Sequence, residues 1–432
     1  MTGAPGPAMP EPRLVPNETR QELVQSLPRT LTSSASSSSS PLYIVDPSKH
    51  TMNGSLFDYV AQKVHQDIRN RLDWSEIIVR GAYSRTGHSR PSDCEKVSKT
   101  FNWQRPTATI LKSVAEGDDE NVIALDCFPG GDYMLHYASL VATYLALVGR
   151  DPGVLSLSRP PKASLCARLL ESSNLRDLGP ADVVLVGYVD RLDWTQGREW
   201  VRRRQGDLET REHDAAVAGE VHDLFAWQRR TLDSGLTAVY LACKVTFWGD
   251  IAGHLVRALR RYSNMKCLLY LGKAGSLRPE VEPNEILVSG NKSILSRGGG
   301  DDGEVVVVEW DNALGPELAD PEMTTGQSAV VLRGDIISIP SPLCETQDWL
   351  ERQRQVADWV DCEVGHMALA CREAEAQFGY LHLISDNVGR ARSENLASEW
   401  MGSVKLKRSF LLARMERIIE SFLSRYNKET TI

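Results

Sequence analysis

The sequence predicts an α/β protein, and three observations predict it. Short apolar, β-branched runs such as "ENVIALDC", "ADVVLVGYV" and "YLHLIS" have the composition of buried strands. Segments with apolar residues at helical spacing alternate with them, as in "SLFDYVAQKVHQDIRNRL" and "MLHYASLVATYLALVG". The 432 residues are 42% hydrophobic, enough to bury a sizeable core.

Taken in order, residues 1–41 are rich in Pro, Ser and Gly and end in "TSSASSSSSP", a composition that predicts a disordered tail. Residues 42–190 read as an N-terminal α/β part: a helix capped by Ser55, a buried strand running into the glycine turn "CFPGGDY", a helix ended by Gly149, and the strand "ADVVLVGYV". Residues 191–233 are strongly charged and predict an exposed helical insertion. Residues 234–432 then give strand, "WGDIAG" turn and helix; a strand into a second glycine turn, "YLGKAGSL"; and "DDGEVVVVEW", a strand introduced by the loop "SRGGGDD". A strand pair in "QSAVVLRGDIISIPSP" and an amphipathic helix in "CETQDWLERQRQVADW" come next. A helix from about Cys362 to Phe378 precedes the strand "YLHLIS", and a long amphipathic helix, with a break expected at Gly402, closes the chain.

Forty-nine Lys and Arg against 57 Asp and Glu give a net charge of −8, which offers no global attraction to nucleic acid or anionic lipid. Eight cysteines stand singly without CxxC spacing, several inside apolar runs, as reduced thiols in a cytoplasmic protein would. The N-terminus lacks a basic head before an apolar core, and no apolar run approaches bilayer length, so neither export nor membrane insertion is expected. No metal or cofactor is expected.

Two strand ends carry chemistry. In "YLGKAGSL", Gly272, Lys273 and Gly275 would follow a buried strand, where open N–H groups and an ammonium can meet an anion or a sugar; glycines there are also ordinary turn residues. In "ISDN", Asp386 stands at the exit of an otherwise apolar strand, flanked by Ser385 and Asn387. Ligands of open α/β sheets sit outside such strand ends, so Asp386 is a candidate acid with a raised pKa; the competing reading is a turn cap. Upstream, "VDCEVGHMALA" places Glu363 where a helix begins.

Taken in order, "WGDIAG", "YLGKAGSL", "RGDIISIPSP", "VDCEVGHMALA" and "YLHLISDN" resemble the nucleoside phosphorylase and nucleosidase superfamily over about residues 236–395. The resemblance implies a nucleoside phosphorylase-like mixed sheet flanked by helices, and cleavage, by phosphorolysis or hydrolysis, of the N-glycosidic bond of a purine nucleoside. Glu363 matches the family glutamate that accepts from the ribose 2′- and 3′-hydroxyls, a role suited to a carboxylate. Asp386 matches the residue that protonates the departing purine, which leaves poorly as an anion. Ser385, Asn387, Gly272, Lys273 and Gly275 are the accompanying candidates for substrate binding.

Departures leave alternatives open. Where the family's phosphorylases bring an arginine to phosphate, this chain has Tyr270 and Lys273, so phosphate as co-substrate stays open. Cys362 replaces a methionine under the ribose, and His366, one turn past Glu363, either faces the site or simply packs. "CFPGGDY" and "VLVGYVDR" both compete as the family's N-terminal glycine motif. A repurposed scaffold of fungal secondary metabolism, similar to the arginine-containing cyclodipeptide synthases and using aminoacyl-tRNA, would explain the clusters Arg202 to Arg204, Arg257 with Arg260 and Arg261, and Lys405 with Lys407 and Arg408. A nucleoside-binding protein without turnover is the third reading. Expected partners are a nucleoside-like small molecule, tRNA under the second reading, and a second copy of the chain as an open question.

Overall fold

The computed structural model describes residues 42–82, 106–112, 121–158, 163–202, 223–297, 304–324, 330–390 and 394–429. The expected tail 1–41 and most of the "SRGGGDD" loop lie outside them. The first part holds α1 (Leu56–Lys63), α2 (Gln66–Asn70), strands β1 (Glu76–Gly81), β2 (Thr107–Lys112) and β3 (Asn121–Cys127), then α3 (Gly131–Leu147), β4 (Leu155–Leu157) and α4 (Ala163–Glu171). After it come β5 (Val183–Gly187), β6 (Phe225–Thr231), β7 (Thr237–Cys243), α5 (Asp250–Ser263) and β8 (Cys267–Ser276). Strands β9 (Ile286–Ser289), β10 (Lys292–Arg297) and β11 (Glu304–Glu309) lead to α6 (Gly315–Ala319) and α7 (Pro321–Thr324). The chain ends with β12 (Val330–Arg333), β13 (Ile336–Ser338), α8 (Gln347–Gln353), β14 (Trp359–Asp361), α9 (Val364–Glu373), β15 (Gln377–Asn387) and α10 (Gly402–Glu429).

Two mixed sheets result. A small one, ordered β2-β3-β1-β4, belongs to the N-terminal part. The large one runs β11-β10-β13-β14-β8-β15-β9-β12, with β5 on the first half of β8 and β7 and β6 beyond it. The centre is parallel, β5 to β8 to β15, and β14 runs antiparallel along the last residues of β8. Alternation along the central strands builds two cores. Cys267, Leu269 and Leu271 of β8, with Val183 and Leu185 of β5 and Leu381 and Leu383 of β15, pack with Leu411, Met415, Ile418 and Phe422 of α10. The intervening Leu268, Tyr270, Val184, Val186, Tyr380 and Ile384 share the opposite core with α5, α9 and α3. A one-residue slip would exchange the two faces, so the register is fixed by burial on both sides.

Several expectations are corrected. Residues 225–231 of the expected helical insertion form β6, because Phe225 and Trp227 bury one face against β7; residues 203–222 lie outside the described residues. The strand "VVLVG" belongs to the large sheet rather than to the N-terminal part, since parallel pairing with β7 and β8 buries all five of its residues. Ser55 stands at the cap of α1, but its hydroxyl donates to the Met52 carbonyl instead of accepting from the helix. α8 and α9 are shorter than expected, and Gly402 starts α10 rather than breaking it.

The N-terminal part is joined to the large sheet at two helix ends. Asp250 Oδ2 accepts from Gly131 N at 2.9 Å and its Oδ1 from Asp132 N at 3.3 Å, at the start of α3. Asp132 Oδ2 in turn accepts from Asp250 N at 3.0 Å, at the start of α5. Each carboxylate thus satisfies orphan donors of the other helix and meets its positive dipole end. Gly249 (φ +58°) permits the approach, since a Cβ there would lie 2.5 Å from Asp132 Cβ.

Candidate functional site

The cavity opens where β8 and β15 end side by side and α9 begins. Tyr270, Lys273, Ala274 and Gly275 from β8, Ser385 and Asp386 from β15, and Asp361, Cys362 and Glu363 from the β14–α9 corner line it. The expected "YLGKAGSL" turn is instead the continuing strand β8: Gly272 and Lys273 pair with His382 and Leu383, and Gly275 lies between Asp386 and Val360. Its N–H groups therefore serve the ladder and are not the anion nest the sequence reading foresaw. The glycines answer to crowding. A Cβ on Gly272 would meet His382 Nε2 at 2.5 Å, and one on Gly275 would meet Val388 at 2.9 Å and Val360 at 3.0 Å. Gly272 does not reach the cavity lining.

A bulge brings Asp386 to its place. Ile384 pairs with Ala274 and Asp386 with Gly275, so Ser385 is the extra residue, and such insertions bend a strand and re-aim its side chains. Ser385 Oγ donates to Asp386 Oδ1 at 2.7 Å. Burial pushes the Asp386 carboxyl up to about 6; the Ser385 bond opposes this, while the Glu399 charge adds to it. Asn387 is turned away from the cavity: its amide donates to the carbonyls of Arg278 and Val281, a loop-fastening role in place of the expected contact with substrate.

Glu363 occupies the N-cap position of α9, yet the helix is capped by others. Asp361 Oδ2 accepts from Glu363 N (3.1 Å) and Val364 N (2.7 Å), and Ser338 Oγ accepts from Gly365 N (2.8 Å) while donating to Asp361 Oδ1 (2.6 Å). That arrangement frees the Glu363 side chain for the cavity, where its Oε2 accepts from Tyr270 Oη at 3.2 Å. Burial and the neighbouring Asp361 charge raise the Glu363 carboxyl to about 8. His366 leaves this group altogether: its Nε2 lies 3.0 Å from Asp132 Oδ2, at the paired helix ends.

Lys273 is committed to Glu399, Nζ to Oε1 at 2.8 Å, and Arg408 Nη2 reaches the same oxygen at 3.0 Å. Burial alone would raise the Glu399 carboxyl, but the two cations overcome it and hold it down to about 2. Burial likewise works against the Lys273 ammonium, and Glu399 keeps it charged. Glu345 is a cavity residue that the sequence reading passed over. It is 4% exposed, burial pushes its carboxyl well up, and its Oε2 has no hydrogen-bond partner. Its position depends on contacts remote in sequence, Thr51 N to Glu345 O at 3.0 Å and Gln347 N to Lys49 O at 2.8 Å, which nothing local in "CETQ" signals. Tyr59 and Lys63 of α1 complete the wall.

Residues 251–423 match the family model described as Phosphorylase superfamily. A curated relative, an oxidoreductase of Cordyceps militaris (cns1), is 26% identical over 197 residues, 44% of this chain; the match spans only 22% of that protein's length. Among solved structures, the futalosine hydrolase of Helicobacter pylori is 12% identical with a TM-score of 0.39, covering 57% of this chain and 98% of that one. The 5′-methylthioadenosine/S-adenosyl homocysteine nucleosidase of Campylobacter jejuni is 15% identical with a TM-score of 0.38, covering 55% and 99%. No helix among the described residues is long and apolar enough to cross a membrane.

Proposed function

We propose that the protein hydrolyses the N-glycosidic bond of a purine nucleoside or a close relative, with water rather than phosphate as acceptor. The Phosphorylase superfamily match over residues 251–423 supports glycosidic chemistry in general. The choice of water rests on one observation: the cavity gathers Glu345, Asp361, Glu363, Asp386 and Glu399, while its inner cation Lys273 is already neutralised by Glu399. An inorganic phosphate at the inner end would meet in Lys273 a cation already paired with Glu399, and would lie beside that ionised carboxylate.

In this reading Glu363 accepts from the 2′- and 3′-hydroxyls, and sugar donors draw its proton off by favouring the carboxylate. Asp386, protonated below about pH 6 in the empty cavity, delivers its proton to the purine as the C1′–N bond breaks and the electron pair leaves with the base. Glu345, whose carboxyl burial holds in the protonated form, is given no proton to take in this reading: the water oxygen bonds C1′ and its proton passes to solvent. The products are free base and free sugar, and Asp386, left ionised, recovers its proton from solvent.

The test is incubation with a panel of purine nucleosides, with and without phosphate, followed by chromatography of base and sugar. Release of base and free ribose at a rate indifferent to phosphate is expected. Ribose 1-phosphate as product, or strict dependence on phosphate, would overturn the hydrolytic reading, and binding without any release would favour a nucleoside-binding protein. Of the basic residues that suggested the aminoacyl-tRNA reading, Arg257 pairs with Glu373, Arg261 with Glu171, Lys407 with Glu285 and Glu394, and Arg408 with Glu399, while Arg203 and Arg204 lie outside the described residues.

A further inference from the structure

A second compartment adjoins the cavity. It shares Tyr59, Lys63 and Trp248 with it, and adds Tyr133, His136, Tyr137 and the 68%-exposed Trp400 as aromatic walls. At ≈ 500 Å³ it is larger than the inner cavity of ≈ 100 Å³ and falls among small-molecule sites, which span about 300–1,000 Å³. The partition between the two is stiff. His136 stacks on Trp248 with centroids 4.3 Å apart, His136 Nδ1 lies 2.7 Å from Ser341 Oγ, and Trp248 Nε1 donates to Pro340 O at 2.8 Å.

The electrostatics reverse across this partition. Five carboxyls line the inner compartment beside Lys63 and the Glu399-paired Lys273, whereas among the described residues the outer is lined by Lys63 and Arg69 and by no carboxylate. Lys63 stands at the junction: its charge acts on Glu399 inside and on His136 outside, and its Nζ is 5.8 Å from the centre of the Tyr59 ring. A ligand that fills both compartments is therefore uncharged or hydroxyl-rich at its inner end and anionic at its outer end.

We propose that the outer compartment receives an anionic 5′-substituent, so that the preferred substrate is a purine nucleoside 5′-phosphate rather than the free nucleoside. The inference rests on the hydrolytic reading only for the direction of the substrate. With the base at Asp386 and the 2′- and 3′-hydroxyls at Glu363, the 5′-carbon is the sugar position left to carry a group outward past Tyr59 and Lys63.

Binding and cleavage are measured separately, so that the two readings fail separately. Adenosine, adenosine 5′-monophosphate and 5′-methylthioadenosine are titrated calorimetrically into the full chain and into Lys63→Met/Arg69→Met, at about 50 and about 300 mM salt. Expected is a preference of about tenfold or more for the monophosphate over adenosine, weakened by salt and lost in the double variant, the scale of one or two charge-assisted contacts. Tighter binding of adenosine or of the methylthio compound overturns the inference whatever is cleaved, as does a preference that survives the double variant with its melting temperature unchanged. If the monophosphate is preferred in the expected way and no base is released from any of the three, this inference stands and the hydrolytic reading falls. If adenosine is cleaved and the monophosphate has no advantage, the reverse holds.

Discussion

Replacing Glu363 with Gln should make the ligand-free protein more stable as the pH rises, while impairing it as a sugar-binding protein. The folded protein holds the Glu363 proton up to about pH 8, whereas the unfolded chain releases it near 4.5. Between those values the native state binds more protons than the unfolded one, so Glu363 costs stability progressively from about pH 4.5 and the cost is complete above about 8. The full interval corresponds to an upper limit of ~5 kcal/mol at about 1.4 kcal/mol per pH unit. The Glu363 proton is shared electrostatically with Asp361, whose own carboxyl burial raises to about 6, so about 2 kcal/mol is the expected gain at pH 8.5. The amide keeps an acceptor for Tyr270 Oη, so little packing is lost. Urea denaturation of both proteins from about pH 5 to about pH 8.5 should give curves that meet at the acid end and diverge toward alkali, with the variant above. Parallel curves would show that Glu363 is not a buried, protonated acid. In the same variant, affinity for a ribonucleoside should fall more than affinity for its 2′-deoxy analogue; equal losses would make the residue structural.

Asp386→Asn should abolish base release with the melting temperature retained, and in the parent protein kcat/KM should decline as the pH rises through about 6; turnover near the parent rate in the variant would remove Asp386 from the chemistry. Lys273→Met should leave the reaction indifferent to phosphate but cost about 2 kcal/mol by stripping Glu399 of one of its two cations, and adding Glu399→Gln should recover part of that loss; strictly additive losses by urea denaturation would contradict the pairing. Asp250→Ala should cost about 1–2 kcal/mol through the uncapped start of α3, and a neutral result would mean that the crossed caps carry no energy.

The two acidic positions were legible because their signals are local: an apolar strand that ends in "SDN", and a helix whose first turn follows "VDCE". Their accompaniments were not. The "GKAG" segment reads as a turn by composition, and only pairing with β14 and β15, more than eighty residues away, keeps it extended. Asp361 looks like a mere neighbour of Glu363, yet its capping role depends on Ser338 from another strand. Glu399 and Glu345 stand in ordinary polar loops, and what singles them out is a place in the cavity wall that only the tertiary fold supplies. β6 was hidden in the same way, since its exposed half, "RRT", resembles the charged segment before it more than the "FAW" that packs on β7.

The crossed carboxylates of Asp132 and Asp250 separate family likeness from self-sufficiency in this chain. The Phosphorylase superfamily match begins at Ile251, one residue past the acid that closes the start of α3 and inside the first turn of α5. A protein begun at that boundary would lack both Asp132 and Asp250 and, with β5 and β7, the strands that lie beyond one edge of β8. What the family match delimits is thus a smaller unit than the one these contacts tie together, and expression trials or grafts that cut at the border of the match would sever the molecule through its hinge pin.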